Sequence, residues 1–196
     1  SPKFSPDGRS VAFLRERSQL VVISLDTLEE RVYLQEAEIL DFDWSPQGDA
    51  LAIAARTQSM GKIVLVECDE GYQQDPVSMR ELARFKRLPV TTAFAQEQCD
   101  LAACGSAVAL AWSPQGDQLA YVFHPDNHGV RSLNLLTLEV DGMTEMENPR
   151  LTLSPTGHQV QGAPSWSPDG QRLLYAALVD YQFHYDESRQ RKVYQG

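Results

Sequence analysis

Short apolar runs bounded by turn residues recur along the chain. Val11-Ala12-Phe13-Leu14, Leu51-Ala52-Ile53-Ala54, Leu119-Ala120-Tyr121-Val122 and Leu173-Leu174-Tyr175-Ala176 have the length of buried strands. Each is followed by a second apolar segment, at residues 20–25, 63–66, 133–138 and 181–185. A more polar one comes after it in places, at 31–34, 150–153 and 192–194. Ala fills the second place in three of the four first runs, which predicts close sheet packing there. Helix signals are few. The pattern predicts an all-β chain of repeated antiparallel strands.

One phrase punctuates the pattern. Phe4-Ser5-Pro6-Asp7-Gly8, Trp44-Ser45-Pro46-Gln47-Gly48, Trp112-Ser113-Pro114-Gln115-Gly116 and Trp166-Ser167-Pro168-Asp169-Gly170 each precede a first run by the same offset. Pro presets the φ that the second position of a type I turn needs, and Gly accepts the positive φ that follows it. The phrase therefore predicts a hairpin turn closed by a Gly bulge, with the Ser hydroxyl bonded back onto the turn. A fifth Ser-Pro-x-Gly, at residues 154–157, lacks the aromatic and the run and reads as an ordinary turn. Pro6, Gly8, Pro46, Gly48, Pro114, Gly116, Pro168 and Gly170, with the aromatics Phe4, Trp44, Trp112 and Trp166, are structural positions in this reading.

Four strands per repeat is the makeup of a propeller blade, and a repeat of roughly 40 residues fits one. The expected blades are 1–40, 41–107, 108–162 and 163–196, in a single propeller or propeller fragment. About four blades are expected here, as part of a six- to eight-bladed ring, with a closed four-bladed ring as the alternative. The chain opens inside a motif, and a partial ring leaves two open edges.

The aromatic-Ser-Pro-Asp-Gly-x-x-apolar-Ala-aromatic phrase resembles the TolB-like, WD40-like (PD40) β-propeller repeat. The Trp-Asp pair of the eukaryotic WD40 repeat is absent. The resemblance implies a non-enzymatic, bacterial, often periplasmic scaffold that binds proteins through its faces and channel. The alternative is the propeller domain of a serine peptidase of the prolyl oligopeptidase or dipeptidyl peptidase IV type. In those enzymes the catalytic groups lie in a hydrolase domain, so no catalytic residue carries over to this chain.

The uneven spacing of the aromatics changes the picture. The intervals are 40, 68 and 54 residues. The long second interval predicts an insertion at about 69–106, and insertions in repeat folds map to loops on one face. Within it, Arg80, Arg84, Lys86 and Arg87 form the one dense basic patch of an acidic chain. Met79, Leu82, Phe85 and Leu88 recur at three-residue spacing. That spacing predicts an amphipathic helix over 77–88 ended by Pro89, with an outer strand over 84–90 as the competing reading. The four basic residues are candidate contacts for an acidic protein partner, and removal of 77–88 is expected to leave the fold intact. Thr92 and Gly105 bracket a second short helical stretch. The third interval places its extra residues near 141–148 and 157–162.

Net charge is −10 over 196 residues, which disfavours nucleic acid as a partner. Glu29, Glu30, Glu36, Glu38, Asp41 and Asp43 read as a solvated acidic face. No apolar run approaches the 18 residues of a membrane span, so no membrane insertion is expected. Cys68, Cys99 and Cys104 are too few for a disulfide framework. A Cys99–Cys104 bridge is possible only if the segment is not helical, and it would favour an oxidising, periplasmic or otherwise exported location.

No nucleophile elbow, phosphate loop or dinucleotide fingerprint occurs, so no catalytic residue and no cofactor is assigned. His124-Pro125-Asp126-Asn127-His128-Gly129 has metal-ligand residue types but turn composition. Asp41 and Asp43 lack a Gly-rich calcium loop. No metal is assigned to either.

Overall fold

The turn phrase starts a strand on each side. The computed structural model describes residues 1–34, 38–68, 79–87, 104–126, 130–138, 151–179, 182–186 and 191–195, and they form three four-stranded and two two-stranded antiparallel sheets. The first runs in chain order through β1 (Lys3–Phe4), β2 (Ser10–Arg15), β3 (Gln19–Ser24) and β4 (Glu30–Leu34). The second comprises β5 (Glu38–Trp44), β6 (Ala50–Arg56), β7 (Met60–Glu67) and β8 (Met79–Lys86). The third comprises β9 (Gly105–Trp112), β10 (Gln118–Pro125), β11 (Ser132–Thr137) and β12 (Leu151–Thr152). The fourth motif joins β13 (Gln159–Trp166) to β14 (Leu173–Leu178), the described part of blade 4, and β15 (Gln182–Asp186) pairs with β16 (Arg191–Gln195) in a separate hairpin. No helix occurs among the described residues.

The turns have the predicted geometry. In every copy the Gly amide donates to the Ser carbonyl, at 2.9 to 3.0 Å. The four Gly lie at φ between 69° and 80°, the conformation that an L side chain resists. The fifth Ser-Pro-x-Gly turns one residue later. His158 donates to the Pro155 carbonyl at 3.2 Å, and Gly157 at φ 87° takes the third position, as a type II turn requires.

Strand alternation gives each sheet two faces. Trp44 lies opposite Leu51, and Asp43 opposite Ala52, so large and small residues segregate. The large face of each sheet, Leu51 and Ile53 or Leu119 and Tyr121, packs on the preceding sheet, while Ala12, Ala52 or Ala120 faces the next. The result is three cores, each seated at the joint between two neighbouring sheets. The first strands come together, β9 packing against β5 and β13 against β9, and they form the inner edge of the array.

Several expectations are corrected. Residues 79–86 are the outer strand of the second blade, not a helix. Ala83 and Phe85 are buried and Arg84 is exposed, an alternation of two rather than a stripe. The outer strand expected at 84–90 exists but begins five residues earlier, and Leu88 to Val90 lie outside the described residues. Because Phe85 stacks near Tyr121 and Phe123, with centroids 5.9 and 5.2 Å away, removal of 77–88 would open the joint between blades 2 and 3 rather than leave the fold intact. Gly105 ends no helix. It opens β9, and residues 92–103 lie outside the description. His124 and Pro125 close β10 instead of forming a loop, while Asn127, His128 and Gly129 also lie outside it.

Candidate functional site

The chemistry-bearing side chains of the chain converge on the joints. At the inner edge, Asp41 and Asp43 project from β5 toward the third blade. Asp41 Oδ2 accepts the Leu110 amide at 2.9 Å, and Asp43 Oδ2 accepts the Trp112 amide at 3.0 Å. On the other side Lys3 reaches across from β1. Its Nζ lies 3.6 Å from Asp41 and 3.2 Å from Asp43, donates to the Phe42 carbonyl and sits 5.3 Å from the Phe42 ring centroid. Burial pushes the Asp41 carboxyl above its usual range, against the lowering effect of Lys3 and of the Leu110 amide. These two carboxylates are therefore joint-forming groups and not part of a solvated face. Glu30 and Glu38 are paired as well, Glu30 to Arg15 at 2.8 Å and Glu38 to Arg56 at 2.8 Å. Glu36 lies outside the described residues.

The motif aromatics do related work. Each Trp indole N–H donates to a backbone carbonyl of the preceding blade, Trp44 to Lys3 at 3.2 Å, Trp112 to Asp43 at 3.3 Å and Trp166 to Ala111 at 3.0 Å. The acceptor is always the residue just before the preceding motif aromatic. Sequence reasoning placed these Trp as core residues and missed the hydrogen bond.

The turns are also linked to one another. The Ser hydroxyl always donates to a carboxylate, but from two different positions. In the Asp copies the acceptor is the third motif residue, Asp7 or Asp169, at 2.5 Å. In the Gln copies it is the residue after the Gly, Asp49 at 2.6 Å or Asp117 at 2.9 Å. This frees the Gln for the next blade, and Gln115 Nε2 donates to the Asp169 carbonyl at 3.1 Å. The signal was in the sequence, since Asp follows Gly48 and Gly116 while Arg9 and Gln171 follow the other two.

The basic residues of β8 do not form one surface. Arg80 and Arg84 are exposed, and Arg84 pairs with Glu81 at 2.6 Å. Arg87 is committed to the next joint. Its Nε lies 3.3 Å from Asp126 of the third blade, both side chains being only 15% exposed, and its Nη1 donates to the Thr57 carbonyl at 2.6 Å. Lys86 lies within the strand. Cys104 is disulfide-bonded and Cys68 keeps its thiol; Cys99 lies outside the described residues. No group of three or more metal-ligating side chains occurs among the described residues, and no helix long and apolar enough to cross a membrane occurs among them.

Solved structures carry the same arrangement of sheets. TolB from Acinetobacter baumannii superposes with a TM-score of 0.59 at 20% identity, over 93% of this chain and 38% of its own. The Swd1 β-propeller domain of Myceliophteria thermophila matches with 0.56 at 15% identity, over 90% and 49%. The dihydro-heme d1 dehydrogenase NirN, in complex with DHE, matches with 0.60 at 17% identity, over 98% and 35%. This chain has the β-propeller fold. It spans less than half the length of each of these three propellers. No protein-family model and no curated protein matches it in sequence.

Proposed function

We propose that the chain is a protein-interaction propeller of the TolB-like, PD40-repeat type, without catalytic activity of its own. The observation that carries this reading is the commitment of its reactive side chains. The carboxylates of β5, the indoles and the motif hydroxyls are all bonded across joints or turns, so they serve the scaffold. The surfaces left for recognition are loops and outer strands, where propellers and other repeat folds place their binding faces. The likeness to TolB and to the Swd1 domain supports the reading at the level of fold.

Arg80 and Arg84 of β8 are the exposed part of the basic patch and the contact we assign to an acidic protein partner. The disulfide at Cys104 supports a periplasmic or otherwise exported site of action, because such bonds persist in oxidising compartments. The peptidase-associated alternative differs in one respect: its propeller serves a serine hydrolase domain.

One experiment separates these readings. The chain is used as bait for cross-linked partners in a bacterial envelope extract, beside an Arg80→Glu, Arg84→Glu double variant. Both substitutions are at exposed positions and spare the core. Capture of an acidic protein that the double variant loses supports the proposal. Equal capture by both removes β8 from it, and ester or dipeptide turnover that a serine-reactive inhibitor abolishes overturns the non-enzymatic reading.

A further inference from the structure

The inner strands of blades 2 and 4 open in the same way, except for one charge. Ile39 of β5 lies opposite Ala55, and Val160 of β13 lies opposite Ala177. Both amides donate to the preceding blade, Ile39 to the Arg17 carbonyl at 2.7 Å and Val160 to the Arg131 carbonyl at 3.1 Å. Arg17, at the joint of blades 1 and 2, and Arg131, at the joint of blades 3 and 4, therefore hold the same place. The residue before the donating amide is Glu38 at the first of these joints and Gln159 at the second. Glu38 serves as a counterion. Arg56 Nε lies 2.8 Å and Arg17 Nη1 3.7 Å from its carboxylate. The Arg56 hydrogen bond, with the charges of Arg17 and Arg87, holds the Glu38 carboxyl below its usual range against the effect of desolvation.

Between blades 3 and 4 the carboxylate is replaced by an amide. Gln159 is buried, and its Oε1 accepts the Arg131 amide at 3.3 Å. Leu178 stands opposite Gln159, where Arg56 stands opposite Glu38. Arg131 keeps its charge but has no ion pair among the described residues, and its Nε is enclosed without a hydrogen-bond partner. A half-buried guanidinium left unpaired costs free energy. An enclosed donor without a partner marks a place for an ion or a ligand.

We propose that Arg131 anchors an anion site at the joint of blades 3 and 4, and that its ligand is a carboxylate supplied from outside the chain. The ligand takes the part that Glu38 plays within the chain at the joint of blades 1 and 2. The guanidinium fork suits a carboxylate, which can accept two of its N–H groups. One unpaired positive charge also matches a singly charged carboxylate, whereas a doubly charged phosphate would leave a surplus in a chain of net charge −10. The site is open to solvent, since Arg131 is only half-buried and Val130 beside it is 39% exposed. A free dicarboxylate and an acidic peptide segment present the same group. The site does not involve β8, so its failure would leave the proposed role of Arg80 and Arg84 standing.

Calorimetric titration of the chain with succinate and with an acetylated tetraglutamate peptide, at low ionic strength, tests this. One probe is expected to bind per chain. Arg131→Gln is expected to weaken binding about tenfold or more. Gln159→Glu restores the internal carboxylate that Glu38 provides, so it is expected to weaken binding to a similar degree and to raise the melting temperature. Arg9→Gln, which removes an exposed charge elsewhere, is expected to bind as the unaltered chain does. Equal affinity for the two probes supports a free dicarboxylate as ligand, and tighter binding of the peptide supports a segment of a protein partner. Failure of the unaltered chain to bind either probe in the millimolar range overturns the proposal. So does equal weakening by Arg9→Gln, which would mark a general charge effect. A lowered melting temperature in Gln159→Glu overturns the assignment of Arg131 as a cation without a counterion.

Discussion

At the scale of the residue, the motif Ser is a structural hinge of hydrogen bonds. Ser113 is buried, its hydroxyl accepts the Gln118 amide at 3.0 Å and donates to Asp117. Ser113→Ala is expected to cost about 1–3 kcal/mol, because the Gln118 amide then loses its side-chain acceptor; urea unfolding measures it. The carboxylates divide by sign. Burial raises Asp41 above the ordinary 3.8, so the folded state binds its proton more readily than the unfolded state. Its contribution to stability is complete below 3.8 and is lost as pH rises through the raised value. Asp7 and Asp169, held down first by the Ser5 and Ser167 hydroxyls, act in the opposite sense. Their contribution is present above 3.8 and is lost as pH falls through the lowered values. Thermal melts across the acid range are expected to show Asp41→Asn removing a decline with rising pH, and Asp7→Asn with Asp169→Asn removing part of the acid loss. Equal profiles for all variants would refute the assignment.

At the scale of the element, β8 shows why a helix was read from its sequence. Met79, Leu82 and Phe85 stand three apart, which fits a helical face. The register against β7 shifts at this point: Ile63 pairs with Ala83 and Val64 with Glu81, so Leu82 is the extra residue of a bulge. One inserted residue turns a spacing of two into a spacing of three, and periodicity alone cannot separate that from a helix. Since Phe85 fills the joint between blades 2 and 3, Phe85→Ala is expected to cost about 3–5 kcal/mol. A loss below 1 kcal/mol in chemical denaturation would mean that β8 is peripheral. The same joint depends on a close approach of backbones. A Cβ on Gly61 would stand 2.7 Å from the Gly105 carbonyl oxygen and 3.1 Å from the Ser106 Cα. Gly61→Ala is therefore expected to force β7 and β9 apart and lower the melting temperature, while Gly157→Ala meets open space and costs only its positive φ, about 1 kcal/mol.

At the scale of the whole molecule, stability is distributed along the array. Blades 2 and 3 are covered on both faces, as the continuous burial of β6 shows, whereas β14 alternates half-buried and exposed positions. Amide hydrogen exchange is expected to be slowest in β6 and β10 and fastest in β14.

The apolar runs and the turn phrase determined the strands, the turn type and the repeat, because these depend on residues adjacent in the chain. The same holds for the positive φ of the four motif glycines. The joints were decided only in three dimensions. Asp41 and Asp43 look like any acidic pair until β9, about 70 residues later, places the Leu110 and Trp112 amides against them. Arg87 likewise reads as surface charge until Asp126 comes within reach. A side chain's role at an interface is set by what the neighbouring blade presents, and in a repeat fold that partner lies a whole repeat away.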